Sequence, residues 1–283
     1  MRVLSIIAAC TLSAAGLSAA PISYIDLFGN QVFTQTTDGS ASAAGAYLGT
    51  NVYLQNAGDF TSATFTPPGG IATNMPAGSP TTFYYGSTLF ADLATMDAAY
   101  APGVYAYDSA GPGGNPDAPS NVTVTRPANA YGTATPYLTN FSSLVNMNPA
   151  AGLMVNWDSF AGALNPTNDP KAPDSLSFVF FTVTRNSDSA TVFDASFLPG
   201  TTTSAFLAAN TLAGNTAYTF SLVFSNRMIG TTTSGTTDFG PLFGFDLRTG
   251  GTFTTGDAVA TPEPYSLGLV FSGLVLIALR RRK

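Results

Sequence analysis

Aspartate is almost the only side chain in this 283-residue sequence that could transfer a proton near neutral pH. There are fifteen Asp, one glutamate (Glu263), no histidine, and one cysteine, Cys10. Without histidine the commonest general base and metal ligand is missing, and a Ser/His/Asp relay cannot be built. Cys10 lies in an apolar N-terminal leader, so the mature body has no thiol for catalysis, disulfides or metal binding. Two carboxyl groups facing one cleft would suffice for glycoside hydrolysis. The aspartates, however, fall mostly in contexts such as Thr37-Asp38-Gly39 and Asn168-Asp169-Pro170, where turn formation accounts for them. Asn165, Asn168, Asp169 and Asp174 bring together oxygen donors of the kind calcium takes, at a spacing that suits a solvated turn better than a calcium loop. No glycine-rich loop precedes a helix to hold phosphate. The pattern predicts a non-enzymatic protein with no cofactor or metal; an Asp-based hydrolase is the minor alternative.

The two ends carry a different kind of chemistry, that of being recognised and cut. Residues 1–20 read as a secretory signal peptide: Arg2, a short apolar run, then small residues at Ser18, Ala19 and Ala20. Pro21 disfavours cleavage immediately before it, so the cut is expected after Ser18 or Ala19. At the other end stand Pro262, Glu263 and Pro264, the uncharged apolar stretch 265–279, and Arg280, Arg281, Arg282 and Lys283. As a helix the apolar stretch spans roughly 22 Å, short of the roughly 30 Å hydrocarbon core. The basic cluster places the extreme C-terminus in the cytoplasm. The two prolines remove backbone donors and hold Glu263 in an extended segment that a processing enzyme could seat.

This order of triplet, short transmembrane helix and basic cluster resembles the PEP-CTERM sorting signal. The resemblance covers residues 257–283 and implies export by signal peptidase, transient membrane anchorage, and processing by exosortase, a membrane transpeptidase-like enzyme of bacteria that make extracellular polysaccharide.

Positioning falls to the body between these ends. Only 9 % of residues are charged, against the roughly 25 % usual in globular domains. Thr, Ser, Asn, Gly and Ala take their place, with 28 Gly and 19 Pro. Scarce Glu, Lys and Arg with plentiful Thr, Tyr, Phe and Val predict an all-β protein rich in turns. Five cations (Arg126, Lys171, Arg185, Arg227, Arg248) face fifteen aspartates in residues 21–261, a net charge of −10, which repels phosphate backbones and excludes nucleic acid as a partner. Low charge with many hydroxyls suits a surface facing extracellular polysaccharide.

The Gly/Pro-rich segment 111–119 divides the body into two predicted β-sandwich domains, residues 21–115 and 116–256. In the first, strands are expected at 46–55, 60–65, 81–85 and 103–107. A helix is expected over 88–100, where Leu89, Leu93, Met96 and Tyr100 form one apolar face. In the second, Tyr218, Phe220, Leu222 and Phe224 alternate with polar residues, as do Leu153, Val155 and Trp157. Strands are also expected at 201–206 and at 176–183, the latter apolar on both faces and hence covered on both sides. This half resembles a fibronectin type III or immunoglobulin-like domain: Pro119-Ser120-Asn121-Val122-Thr123-Val124 as opening strand, Trp157 as the buried tryptophan, and Leu212 to Tyr218 with the spacing of the tyrosine corner. The resemblance implies a Tyr218 hydroxyl bonded to backbone upstream. The expected role is structural, at the cell surface or in a biofilm or polysaccharide matrix. The alternative is a carbohydrate- or protein-binding module, with Tyr84, Tyr85, Tyr105, Tyr107 and Tyr131 as a sugar-stacking platform.

Overall fold

Strand formation dominates, as the composition predicts. A computed structural model describes residues 22–111, 122–168, 175–229 and 242–259. In chain order the described strands are β1 (Ile22–Thr37), β2 (Ser40–Leu54), β3 (Ser62–Thr66), β4 (Thr73–Met75), β5 (Ala77–Ser79), β6 (Thr82–Gly86), β7 (Gly103–Ala110), β8 (Val122–Arg126), β9 (Leu153–Asn156), β10 (Ser175–Arg185), β11 (Thr191–Pro199), β12 (Ser204–Leu207), β13 (Ala217–Ile229) and β14 (Leu242–Thr254). One short helix, α1 (Leu93–Ala99), and one 3-10 turn, Phe141–Ser143, interrupt them. The sorting triplet, the apolar stretch 265–279, the basic cluster and the leader with Ser18 to Ala20 lie outside the described residues, among which no helix is long and apolar enough to cross a membrane.

An eight-stranded sheet in the order β11-β10-β13-β14-β1-β2-β6-β5 runs through both halves of the body. A four-stranded sheet, β4-β3-β7-β8, and a two-stranded one, β12-β9, complete the fold. The halves join where β1 pairs parallel with β14, from Asp26 opposite Leu242 to Thr34 opposite Gly250. One sheet thus spans both halves, and two cores lie against it; the first of them takes in Val122 and Val124 from beyond the 111–119 segment. One core gathers Ile25, Leu27, Leu48, Phe65, Tyr105 and Phe245 between the large sheet and the four-stranded one. The other gathers Val155, Trp157, Phe181, Phe220, Phe224 and Leu247 beneath β9, β12 and the 3-10 turn. β14 passes from one to the other between Phe245 and Leu247, and Tyr131 packs against both. Fully burying each large apolar side chain contributes about 1.5–3 kcal/mol, so the cores hold the seam from one face.

The second half has the strand pairing of an immunoglobulin-type sandwich. β11-β10-β13-β14 form one layer and β12-β9 the other, matching the C′-C-F-G and B-E positions of that architecture. Trp157 is 2 % exposed and packs 5.6 Å from Phe181, while the Tyr218 hydroxyl accepts from Ala213 N–H at 2.8 Å.

Four local expectations are corrected. The segment 119–124 does not open this sandwich: β8 pairs with β7, and Leu138 bridges to Trp157 at the first-strand position instead. The helix starts only at Leu93, because Phe90 is held by two backbone bonds to Ala46 and Asp92 caps Thr95 N–H at 2.7 Å; Leu89 is left exposed. β10 buries Val179, Phe181 and Val183 but leaves Phe178 and Phe180 half-buried on the other face, packed on the exposed Phe197. The tyrosine platform does not form. Tyr105 and Tyr107 are core residues, Tyr131 lies between the cores, and Tyr85 bonds Tyr100 hydroxyl to hydroxyl at 2.7 Å; Tyr84 alone of the five is exposed.

Candidate functional site

Alternation along β14 sends Phe243, Phe245, Leu247, Thr249 and Phe253 into the cores, and turns Gly244, Asp246, Arg248, Gly250 and Thr252 to the outer face. The rows across this face follow from register. Ser225, Asp246, Asn30 and Tyr47 lie side by side on β13, β14, β1 and β2, and the next row is Val223, Arg248 and Val32. Glycines let long side chains lie flat. A Cβ at Gly244 would run into the Arg227 guanidinium, and one at Gly49 into the Phe28 ring.

Arg227 thus reaches across Gly244 to Asp26 at 3.2 Å and Asp246 at 3.4 Å. Two carboxylates share one cation. Burial pushes the Asp26 carboxyl up to about 6, opposed by Arg227 and reinforced by Asp246, while the paired acids hold the Arg227 guanidinium charged. The triad ties β13, β14 and β1 together at the seam. It is a structural device: each acid already has the cation.

One pleat further along, β1 parts from β14 after Thr34, and a groove of about 910 Å³ opens in the notch, within the roughly 300–1,000 Å³ range of ligand clefts. Gly250 and Gly251 form part of its lining; a Cβ on Gly251 would strike the Gln35 carbonyl and the Phe220 ring. Thr34 and Thr36 line it from β1, Thr219 and Ser221 from β13, Thr252 and Thr254 from β14, and Phe141 and Val145 from beside the 3-10 turn. Arg248 is the sole charged side chain among the lining residues. Its Nε is shut off from solvent and has no hydrogen-bond partner. The other described arginines are paired: Arg126 with Asp97, Arg185 with Asp188, Arg227 with its two acids.

Chemically the groove offers hydroxyls that both donate and accept, and one guanidinium fork that only donates. What this lining provides is binding, through hydroxyls and one fork of donors. Local pattern does not mark these residues as a site. The one signal in the sequence is Arg248 itself, a cation in a strand of a strongly acidic body, followed by Thr249-Gly250-Gly251-Thr252.

Of the proposed calcium donors, Asp169 and Asp174 lie outside the described residues. Asn165 donates its amide to Ser175 C=O, and Asn168 Oδ1 accepts from Ser177 N–H, so both shape the approach to β10. Among the described residues no three Asp, Glu, His or Cys converge as a metal site.

No family model and no curated protein matches the chain. Solved structures that resemble it include part of a 1.5-MDa bacterial ice-binding adhesin concerned with host cell surface retention (18 % identity, 84 % of this chain and 66 % of that one, TM-score 0.24). A tetra-tandem repeat from the extending region of a large adhesion protein gives 15 % identity over 83 % of this chain and 50 % of that one, TM-score 0.23. The FN1–FN3 domains of chicken CNTN1 give 6 % identity, 83 % and 66 % coverage, TM-score 0.22. The chain spans between half and two thirds of each, and likenesses at this level carry no conclusion about function.

Proposed function

We propose that this chain is an exported, non-catalytic structural protein of the cell surface or extracellular matrix. Signal peptidase would remove the leader near Ser18 to Ala20. Residues 265–279 would then hold the body at the outer face of the membrane until an exosortase-type enzyme acts around Pro262, Glu263 and Pro264. The observation that carries this reading is the three-part tail: a Pro-Glu-Pro triplet, an apolar stretch short for a bilayer, and four cations after it. The absence of histidine from the whole sequence supports the non-catalytic part.

Deleting residues 262–283 tests it. The expected outcome is loss of surface retention, together with a mature wild-type protein whose C-terminus, by mass spectrometry, lies upstream of Arg280. A wild-type mature protein that still ends at Lys283, or unchanged localisation of the deletion, would overturn it. A recognition role is the second reading, and the groove beside Arg248 is what favours it.

A further inference from the structure

We propose that the notch between β1 and β14 binds a carboxylated oligosaccharide, with the Arg248 guanidinium taking a uronate carboxylate and Thr34, Thr219 and Thr252 taking sugar hydroxyls. This deepens the reading of the chain as a matrix-facing protein and rests on it.

Charge is the first argument. The body carries fifteen aspartates against five cations, and three of the four described arginines are spent on carboxylates of the chain itself. Arg248 is not, although Asp246 sits two residues before it on the same face of β14. The Asp246 carboxylate is engaged by Arg227 at 3.4 Å, which leaves Arg248 beside it with no ion pair to any described residue. No acidic side chain is among the residues lining the groove. An unpaired, partly desolvated guanidinium is costly, and a planar carboxylate is the group its fork matches in two parallel bonds.

Hydroxyls are the second. Thr219 already donates to Asn186 Oδ1 at 2.8 Å, so its oxygen is turned to accept. Thr34 and Thr252 are exposed on the two strands that diverge to form the notch. A row of short hydroxyls at strand spacing beside one cation suits a polyol bearing an acid. A phosphopeptide or nucleic acid suits it less, because neither presents a run of free hydroxyls to the threonines, and a phosphate monoester brings close to two charges to the one cation.

The test is calorimetric titration of full-length protein in detergent with tetragalacturonate, and with the same tetramer reduced to its neutral galactose form. The acid form is expected to bind at least tenfold more tightly than the neutral one, and to weaken as salt rises from 50 to 300 mM. R248Q should lose at least tenfold affinity and R248K should recover part of it. Should R248Q fail to fold by circular dichroism, the exposed pair T34V and T252V provides the same reading, with an expected loss of at least threefold. Equal affinity for both tetramers, unchanged binding in folded R248Q or in T34V/T252V, or no binding of either sugar would overturn the site. A negative result here with correct tail processing leaves the structural reading standing; failed processing with intact sugar binding does the reverse.

Discussion

The side-chain amide of Gln35 and the main chain of Leu138 form a closed two-bond pair, with Oε1 accepting from the Leu138 N–H at 2.8 Å and Nε2 donating to the Leu138 carbonyl at 2.7 Å. The amide does for Leu138 what a neighbouring strand would do, and it does so from a residue that is 1 % exposed. Leu138 in turn bridges to Trp157, so one glutamine at the end of β1 completes the edge of the second core.

Replacing Gln35 with leucine strands the buried Leu138 N–H and leaves its carbonyl only the longer bond from Gly39 N–H at 3.3 Å. The expected loss is about 1–3 kcal/mol in urea unfolding, the cost of one orphaned buried group. A loss below about 0.5 kcal/mol would mean that Leu138 finds other partners.

Asp26 sets a pH dependence of unusual sign. Its carboxyl titrates at about 6 in the fold, mainly because it is buried, against 3.8 for the ordinary group. Between those values the folded state binds more protons than the unfolded one, so stability falls as pH rises from about 4 to about 6 and then levels off. Thermal midpoints should therefore climb on acidification from pH 6.5 to 4.5, and D26N should flatten that slope. The exposed carboxylates of Asp38, Asp92 and Asp188, held low by hydrogen bonds from Ser142, Thr95 and Arg185, act in the opposite sense only at lower pH, where they are protonated. A wild-type midpoint that drops between pH 6.5 and 4.5 would contradict the assignment.

Tyr218 offers a small, clean substitution. Phenylalanine keeps the ring that packs 5.7 Å from Phe253 and removes only the acceptor for Ala213 N–H. The expected cost is about 1–2 kcal/mol, read from the denaturation midpoint with an unchanged slope.

Two glycines should behave differently on replacement by alanine. Gly45 has φ +142°, and a Cβ there would meet the Phe90 carbonyl, itself fixed by its bonds to Ala46. Gly39 has φ +69° in the β1–β2 turn with open space around it. Gly45→Ala should cost about 2 kcal/mol or more and Gly39→Ala about 1 kcal/mol. The reverse order of thermal midpoints would show that β2 and Phe90 do not meet as described.

What could be read from the residues was whatever one strand encodes by itself. Tyr218, Phe220, Leu222 and Phe224 alternate and are all buried. β1 was not legible, because its outer face is also enclosed. Asp26 is half-buried and Asn30 fully so, without a hydrogen-bond partner for its amide, and this erases the contrast between faces on which period-two reading depends. The pairing of β1 with β14 joins residues some two hundred positions apart, and nothing local specifies it. Tyr105 and Tyr107 have the spacing of a surface platform and the fate of core residues, because the four-stranded sheet turns that face inward. Arg248 looked like any strand cation; its freedom depends on Arg227 having claimed Asp246.

The seam between β1 and β14 also governs when the protein can finish folding. β1 ends at Thr37 and β14 begins only at Leu242. Loop closure over such a distance is slow, and among the described strands β14 alone pairs with β1 on the side away from β2. During synthesis that flank of the β1–β2 hairpin stays open until some two hundred further residues have been made, so the two cores are tied together late.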